Sequence, residues 1–404
     1  MLYLAYQAQS DLIDPARMLA RAALATLGAK ALSGEPVDMR AAAAAYEMVT
    51  RAGLSHERPP YGITAVRDGN RDVAVTEEVL LSLPFGSLLR FRKDVSAEQA
   101  KVLVVAPMSG HFATLLRNTV ATLLQDHDVC ITDWHNARDV PLSAGPFGYD
   151  DYVDTLIRFI EELGPDTHVV AVCQPCVQVL TAVAVMAQAG SAFQPGSMTL
   201  MAGPVDTRIN PTTVNRLATE RPIEWFRRNL IATVPARHPG GGRRVYPGFV
   251  QVGAFMAMNM SRHLNAHVDM FTHLATGATA EAEKIKTFYD EYFAVLDLPA
   301  EFYLETVQWI FQEARLAART LSYRGETVDC RAIRKTALLT VEGERDDICS
   351  LGQTAAAHDL CSGLKPFRKR HHMQAGVGHY GVFSGRKWEG QIYPIVRNMI
   401  LASS

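Results

Sequence analysis

Across residues 102–201, short apolar runs alternate with longer stretches in which apolar positions recur every three or four residues. The runs at 102–105, Val129-Cys130-Ile131, 168–172 and 197–201 lack the period-two alternation of a half-exposed strand. They predict strands covered on both faces. Between them the 3.6-residue period predicts helices over 112–124, 151–163 and 174–189. Strands alternating with helices in this way imply a mostly parallel, doubly wound α/β sheet with right-handed crossovers.

The pattern differs on either side of this region. Val73-Ala74-Val75, Leu80-Leu81-Ser82-Leu83 and Leu88-Leu89-Arg90-Phe91, interrupted by Pro84-Phe85-Gly86, predict a hairpin at the sheet edge. Earlier, Asp14 before Pro15 reads as an N-cap and first-turn proline. Met18, Leu19, Ala22, Ala23 and Leu27 follow at helical spacing, and Gly28 is the predicted stop.

After Gly203-Pro204 the alternation ceases. Pro222, Trp225, Phe226, the Pro239-Gly240-Gly241-Gly242 loop, the run from Phe255 through Met256 and Met258 to Met260, and a helical stretch over 302–311 predict a largely helical cap. Extended character returns at Ala337-Leu338-Leu339-Thr340-Val341 and near His371-His372-Met373, and an amphipathic helix over 388–401 closes the chain. The expected organisation is a helical prelude (1–71), a sheet core (72–203 and 335–404) and an inserted cap or lid (204–334).

Composition narrows the function classes. A chain of 404 residues with 48% hydrophobic content can bury a large core, and a formal net charge of −2 gives no footprint for nucleic acid. The first residues lack the basic, apolar and cleavage regions of a secretory leader, which points to the cytoplasm. Gln178 and Thr181 interrupt the longest apolar stretch, so it reads as a buried helix rather than a membrane span. Six cysteines fit a reducing compartment without disulfides.

Candidate chemistry centres on Cys173, in Val169-Val170-Ala171-Val172-Cys173-Gln174-Pro175-Cys176-Val177. A strand turns here into a helix, and a thiol at a helix N-terminus is favoured as the nucleophilic thiolate. Ala171 and Pro175 supply the small flanking residues of a nucleophile elbow in place of its usual glycines. Buried cysteines are also common for packing alone.

A thiol of ordinary pKa needs a base, and the base an orienting acid. Both follow downstream. Glu342-Gly343-Glu344-Arg345-Asp346-Asp347-Ile348 succeeds a strand, and Gly376-Val377-Gly378-His379-Tyr380-Gly381 precedes the last helix. Nucleophile, acid, histidine is the chain order of the α/β-hydrolases. Cys173, Asp346 and His379 are therefore the candidate triad, although adjacent acids are ordinarily solvated and a histidine among glycines can be a turn residue. Backbone N–H groups of Met108 and Gln174 hold the positions expected of an oxyanion hole. His371 and His372 read as strand residues.

Cys173-Gln174-Pro175-Cys176 is also a Cys-x-Pro-Cys sequence, the form of dithiol oxidoreductases, but that reading leaves Asp346 and His379 without a purpose. A zinc site lacks a second Cys-x-x-Cys, and no metal or cofactor is expected.

The run Val172-Cys173-Gln174-Pro175 resembles the active-site strand of the intracellular polyhydroxybutyrate depolymerases, as do the run from Met108-Ser109-Gly110-His111 to Arg117, Ile131-Thr132-Asp133-Trp134, 342–348 and 378–385. The resemblance implies an α/β-hydrolase fold and a cysteine-type esterase that cleaves poly(3-hydroxybutyrate), with Cys173, Asp346 and His379 in the family roles. It also implies the storage polymer or its granule surface as partner. Polymer synthases, which transfer acyl groups, place their cysteine in a Gly-x-Cys-x-Gly elbow that Ala171 and Pro175 do not match. Thiolysis by coenzyme A and non-catalytic granule binding remain alternatives. The Met- and aromatic-rich cap suits an apolar polymer, the protein's own core, or a homodimer contact.

Overall fold

The computed structural model describes residues 2–31, 37–95, 98–258 and 260–404. Two helices come first, α1 (Leu2–Ala31) and α2 (Val37–Thr50). Helix α1 runs through Pro15 and past Gly28, which corrects both the predicted start at Asp14 and the predicted stop. An internal proline costs about 3 kcal/mol in lost bonding and steric clash. Bonds to the rest of the fold oppose that cost: the Tyr3 hydroxyl donates to the Asp297 carboxylate at 2.7 Å, and the Tyr6 hydroxyl lies 2.8 Å from His56 Nε2; within the helix Arg17 pairs with Asp14 at 3.2 Å.

Strand β1 (Ala65–Asp68) pairs antiparallel with β2 (Arg71–Leu83). The sheet therefore begins before residue 72, inside the stretch read as prelude. The cause is the two-residue turn Gly69-Asn70, where Gly69 has φ +57° and bends the chain at no steric cost. The hairpin to β3 (Gly86–Lys93) forms as the pattern predicts. Gly86 opens β3 because a Cβ there would lie 2.7 Å from the Trp134 ring.

Then β4 (Lys101–Val105), α3 (Arg117–Leu123), β5 (Asp128–Trp134), α4 (Tyr149–Leu163), β6 (His168–Val172), α5 (Cys176–Gln188) and β7 (Ser197–Met201) alternate. The helix predicted over 112–124 is α-helical only from Arg117, after a 3-10 turn over Ala113–Leu116.

The inserted stretch holds α6 (Thr213–Glu220), α7 (Ile223–Asn229), β8 (Ala232–Thr233), β9 (Arg244–Tyr246), α8 (Gly248–Met258), α9 (Met260–Thr276), α10 (Thr279–Tyr292), β10 (Leu298–Pro299), α11 (Ala300–Glu305), β11 (Ser322–Tyr323) and β12 (Glu326–Thr327). The sequence pattern missed the small sheet β10-β9-β8. Its strands are too short to carry a period. Phe255 and Met256 pack with Val252, Tyr289, Tyr292 and Val295, whereas Met260, Leu264, Val268 and Phe271 are exposed.

The chain returns to the sheet with β13 (Ala337–Gly343), α12 (Ala357–Leu360), β14 (Lys369–Gln374) and α13 (Tyr393–Leu401), the last entered through a π turn over Trp388–Ile392. The nine-stranded order is β1-β2-β3-β5-β4-β6-β7-β13-β14, antiparallel up to β5 and parallel from β5 to β14. Every residue of β6, β7 and β13 is buried, as strands covered on both faces require. Burial of each Val, Leu or Met side chain there contributes about 1.5–3 kcal/mol. Among the described residues no helix is long and apolar enough to cross a membrane.

Candidate active site

Parallel register brings the chemical residues to one edge of the sheet. Val105 of β4 pairs with Ala171 of β6, so Met108 and Cys173 leave neighbouring strands at the same end. Val341 of β13 pairs with Met201 of β7, and Gly343 with Gln374 of β14, so the loops carrying Asp346 and His379 emerge at that end too.

Cys173 has φ +67°. A non-glycine residue in this left-handed region costs about 1–2 kcal/mol, and such strain persists where surrounding bonds dictate it. Here the Cys173 N–H donates to Met201 O at 2.8 Å, and its carbonyl accepts from Cys176 N at 3.1 Å. The turn is tight because Gly203 lies against it. A Cβ on Gly203 would sit 2.2 Å from Cys176 Cβ and 2.4 Å from its Sγ.

The two downstream residues meet directly. His379 Nδ1 lies 2.8 Å from Asp346 Oδ2, and both side chains are buried. The other carboxylate oxygen accepts from the N–H groups of Ile348 at 2.9 Å and Cys349 at 2.8 Å. Asp347, by contrast, is exposed. Burial pushes the His379 imidazole down, but the charge of Cys173, the hydrogen bond and charge of Asp346, and a hydrogen bond with Cys173 outweigh it. The ring is held well above its ordinary value by these two partners.

Among the described residues, neither the Met108 nor the Gln174 N–H donates a hydrogen bond. The loop that carries Met108 is nevertheless firmly held. Ala106 N donates to Thr132 Oγ1 at 2.9 Å, Trp134 Nε1 donates to Ala106 O at 2.8 Å, Gln251 donates to Ser109 O, and Leu296 N donates to Gly110 O at 2.8 Å.

Cys176 is fully buried, its thiol directed to the carbonyls of Ala171 (3.5 Å) and Met201 (3.6 Å). Burial, then the charge of Cys173, pushes it well above an ordinary thiol. All six cysteines are unpaired. His371 and His372 are strand residues: His371 Nδ1 meets Thr340 Oγ1 at 2.9 Å, and His372 Nε2 meets Gln374 Oε1 at 3.0 Å. No group of three potential metal ligands occurs among the described residues.

Sequence reasoning missed Glu342. Its buried carboxylate accepts from Gly352 N (2.9 Å), Thr354 N (2.8 Å) and Ala355 N (2.9 Å), and Thr354 Oγ1 in turn accepts from Gly203 N at 2.8 Å. The carboxylate thereby joins the loop after the acid to the turn beneath the cysteine. A charged residue ending an otherwise apolar strand was the available signal. Tyr380, whose ring lies edge-on to His379 at 5.9 Å, gave no signal of its own either.

A nine-stranded sheet in this order, with a strained residue turning from the inner strand β6 into a helix, defines an α/β-hydrolase. Residues 202–404, half of the chain, match the family model described as PHB de-polymerase C-terminus. The chain belongs to this family of PHB depolymerases.

None of the curated proteins matches it. Among solved structures it is similar to a monoacylglycerol lipase of Paleococcus ferrophilus (12% identity, 76% of this chain and 97% of that one, TM-score 0.44). It is also similar to an epoxide hydrolase of Bacillus megaterium (12%, 80% and 99%, TM-score 0.45) and the naproxen esterase of Bacillus subtilis (12%, 82% and 92%, TM-score 0.39).

Proposed function

We propose that the chain hydrolyses the ester bonds of poly(3-hydroxybutyrate) to oligomers and 3-hydroxybutyrate through Cys173, His379 and Asp346. The observation that carries this reading is the strained Cys173 beside a buried His379 whose far nitrogen is held by Asp346. His379 takes the thiol proton, and the thiolate attacks the ester carbonyl carbon. The N–H groups of Met108 and Gln174, unspent in the fold, receive the oxyanion. Collapse expels the alkoxide end of the polymer, protonated by His379, and leaves a thioester on Cys173. Water, deprotonated by His379, then attacks that thioester and releases the acid and the thiol.

In this reading residues 204–334 cap the site, 72–203 and 335–404 form the hydrolase core, and the enzyme works in the cytoplasm at the granule surface. The buried Cys176 gives the dithiol reading no accessible resolving thiol. Iodoacetamide labelling of the full chain, with and without a soluble 3-hydroxybutyrate trimer, tests the proposal. Labelling at Cys173 that the trimer slows supports it. Labelling at other cysteines alone, with undiminished ester release from amorphous polymer, refutes it.

A further inference from the structure

A cavity of about 530 Å³ lies away from the triad, between α1, α2, the 53–57 segment and the cap helices α9 and α10. That volume falls in the range of small-molecule sites. Four nitrogen atoms of its lining residues are shut off from solvent and have no hydrogen-bond partner among the described residues: Nε of Arg17, Nε of Arg138, Nδ1 of His56 and Nε2 of His238. Buried donors in a native fold are ordinarily satisfied, so the two bare guanidinium Nε–H groups, with two ring nitrogens beside them, call for an acceptor.

The acids on the same walls do not supply it. Asp14 meets only Nη2 of Arg17, at 3.2 Å, and leaves its Nε bare; Glu47 is engaged by Arg51 at 2.9 Å and Lys286 at 3.0 Å, and Asp290 by Arg51. Glu57 is exposed. Arg138 meets the carboxylate of its own neighbour Asp139 only at 3.7 Å, and Asp297, whose charge Arg138 also feels, spends its oxygens on Tyr3 and on Gly248 N. The Tyr6 hydroxyl lies 2.8 Å from His56 Nε2, and with Tyr6 donating there His56 carries its proton on the free Nδ1. The guanidinium registers on the imidazole: burial, then Arg138 and His238, push His56 down to about 3.

We propose that this cavity binds a small organic anion, whose carboxylate or phosphate oxygens accept from Arg138, Arg17 and His56. A hydroxycarboxylate of the kind ester hydrolysis releases and a phosphate-bearing metabolite share that chemistry. The occupant would act on the reaction as well as fill the cavity. Ser55, on the same wall, donates from N to Phe293 O at 2.9 Å and accepts from Val295 N at 2.7 Å. The next residue, Leu296, donates to Gly110 O at 2.8 Å, on the loop that holds Met108. An anion that orders the 53–57 segment thus bears on that loop through three backbone hydrogen bonds.

The test is titration calorimetry on the full chain carrying Cys173→Ala, with sodium 3-hydroxybutyrate and inorganic phosphate as separate probes in a chloride background. At least one probe is expected to bind, and Arg138→Gln and Arg17→Gln are each expected to weaken it at least about tenfold. The tighter probe identifies the carboxylate or the phosphate as the physiological head group. Absence of binding by both probes, or unchanged affinity in the folded variants, overturns the proposal. Should Arg138→Gln fail to fold by circular dichroism, Arg17→Gln decides the matter alone. Because the titrated chain lacks the Cys173 thiol, the outcome is independent of the triad assignment.

Discussion

His379 Nδ1 and Asp346 Oδ2 lie 2.8 Å apart with both side chains buried, although the two residues are carried by separate loops after β13 and β14. The carboxylate therefore selects the tautomer that leaves Nε2 free to accept a proton. Asp346→Asn is expected to keep the fold, since the remaining oxygen still accepts from Ile348 N and Cys349 N. It should lower kcat by about 10³-fold or more, the scale found when a triad carboxylate is neutralised. Asp347→Asn, at an exposed position, should leave kcat within about twofold. Steady-state hydrolysis of a soluble 3-hydroxybutyrate oligomer checks both.

Cys173→Ala should abolish ester release from amorphous polymer while circular dichroism is unchanged. Cys176→Ala should retain most of the activity, because that thiol only faces two carbonyls inside the core. Loss of activity in the second variant but not the first would reverse the assignment.

The elevated His379 value makes stability depend on pH in a definite sense. The folded value lies above the ordinary imidazole value, so the protonated ring's contribution is complete below about pH 6.5 and is lost as pH rises through the folded value. Cys173→Ala removes the largest of the raising causes. The ring should then titrate lower and the alkaline loss of stability shrink. NMR titration of the His379 ring, with urea unfolding at about pH 6 and about pH 9, measures the two effects.

Gly203→Ala would drive a methyl group into Cys176, where no flexible chain end can yield. Overpacking of this kind costs about 1–3 kcal/mol. The expected outcome is a lower Tm together with loss of activity, because the displaced residue sits under the Cys173 turn.

Glu342→Gln exchanges an acceptor-only carboxylate for an amide whose NH₂ faces backbone donors. A loss of about 2 kcal/mol in denaturant unfolding is expected from the weakened charge-assisted bonds.

Much of this architecture was legible from period alone. The strands at 168–172 and 197–201 stand where their uninterrupted apolar runs predict, and the 84–86 break marks the β2–β3 turn. The misses have physical causes. Helix α1 continues through Pro15 because contacts far along the chain hold it, and these leave no local trace. Strand β1 escaped notice although Gly69-Asn70 is a hairpin signal, since four residues are too few to display alternation. Chain order singled out Asp346 and His379, which the structure brings to 2.8 Å, whereas Glu342 acts through backbone N–H groups that any residue would present.

The Tyr3–Asp297 bond joins residues 294 positions apart. At about 5–20 residues per second, a ribosome makes α1 roughly 15–60 s before the carboxylate that Tyr3 engages exists. Throughout that interval Leu4, Leu12 and Leu19, still exposed in the finished protein, are joined by an undocked Tyr3 on a helix without its anchor. The Tyr3 end of α1 thus stays unanchored until residue 297 is made, and a nascent chain stalled before Asp297 presents that end with its exposed leucines to the cell's holdases.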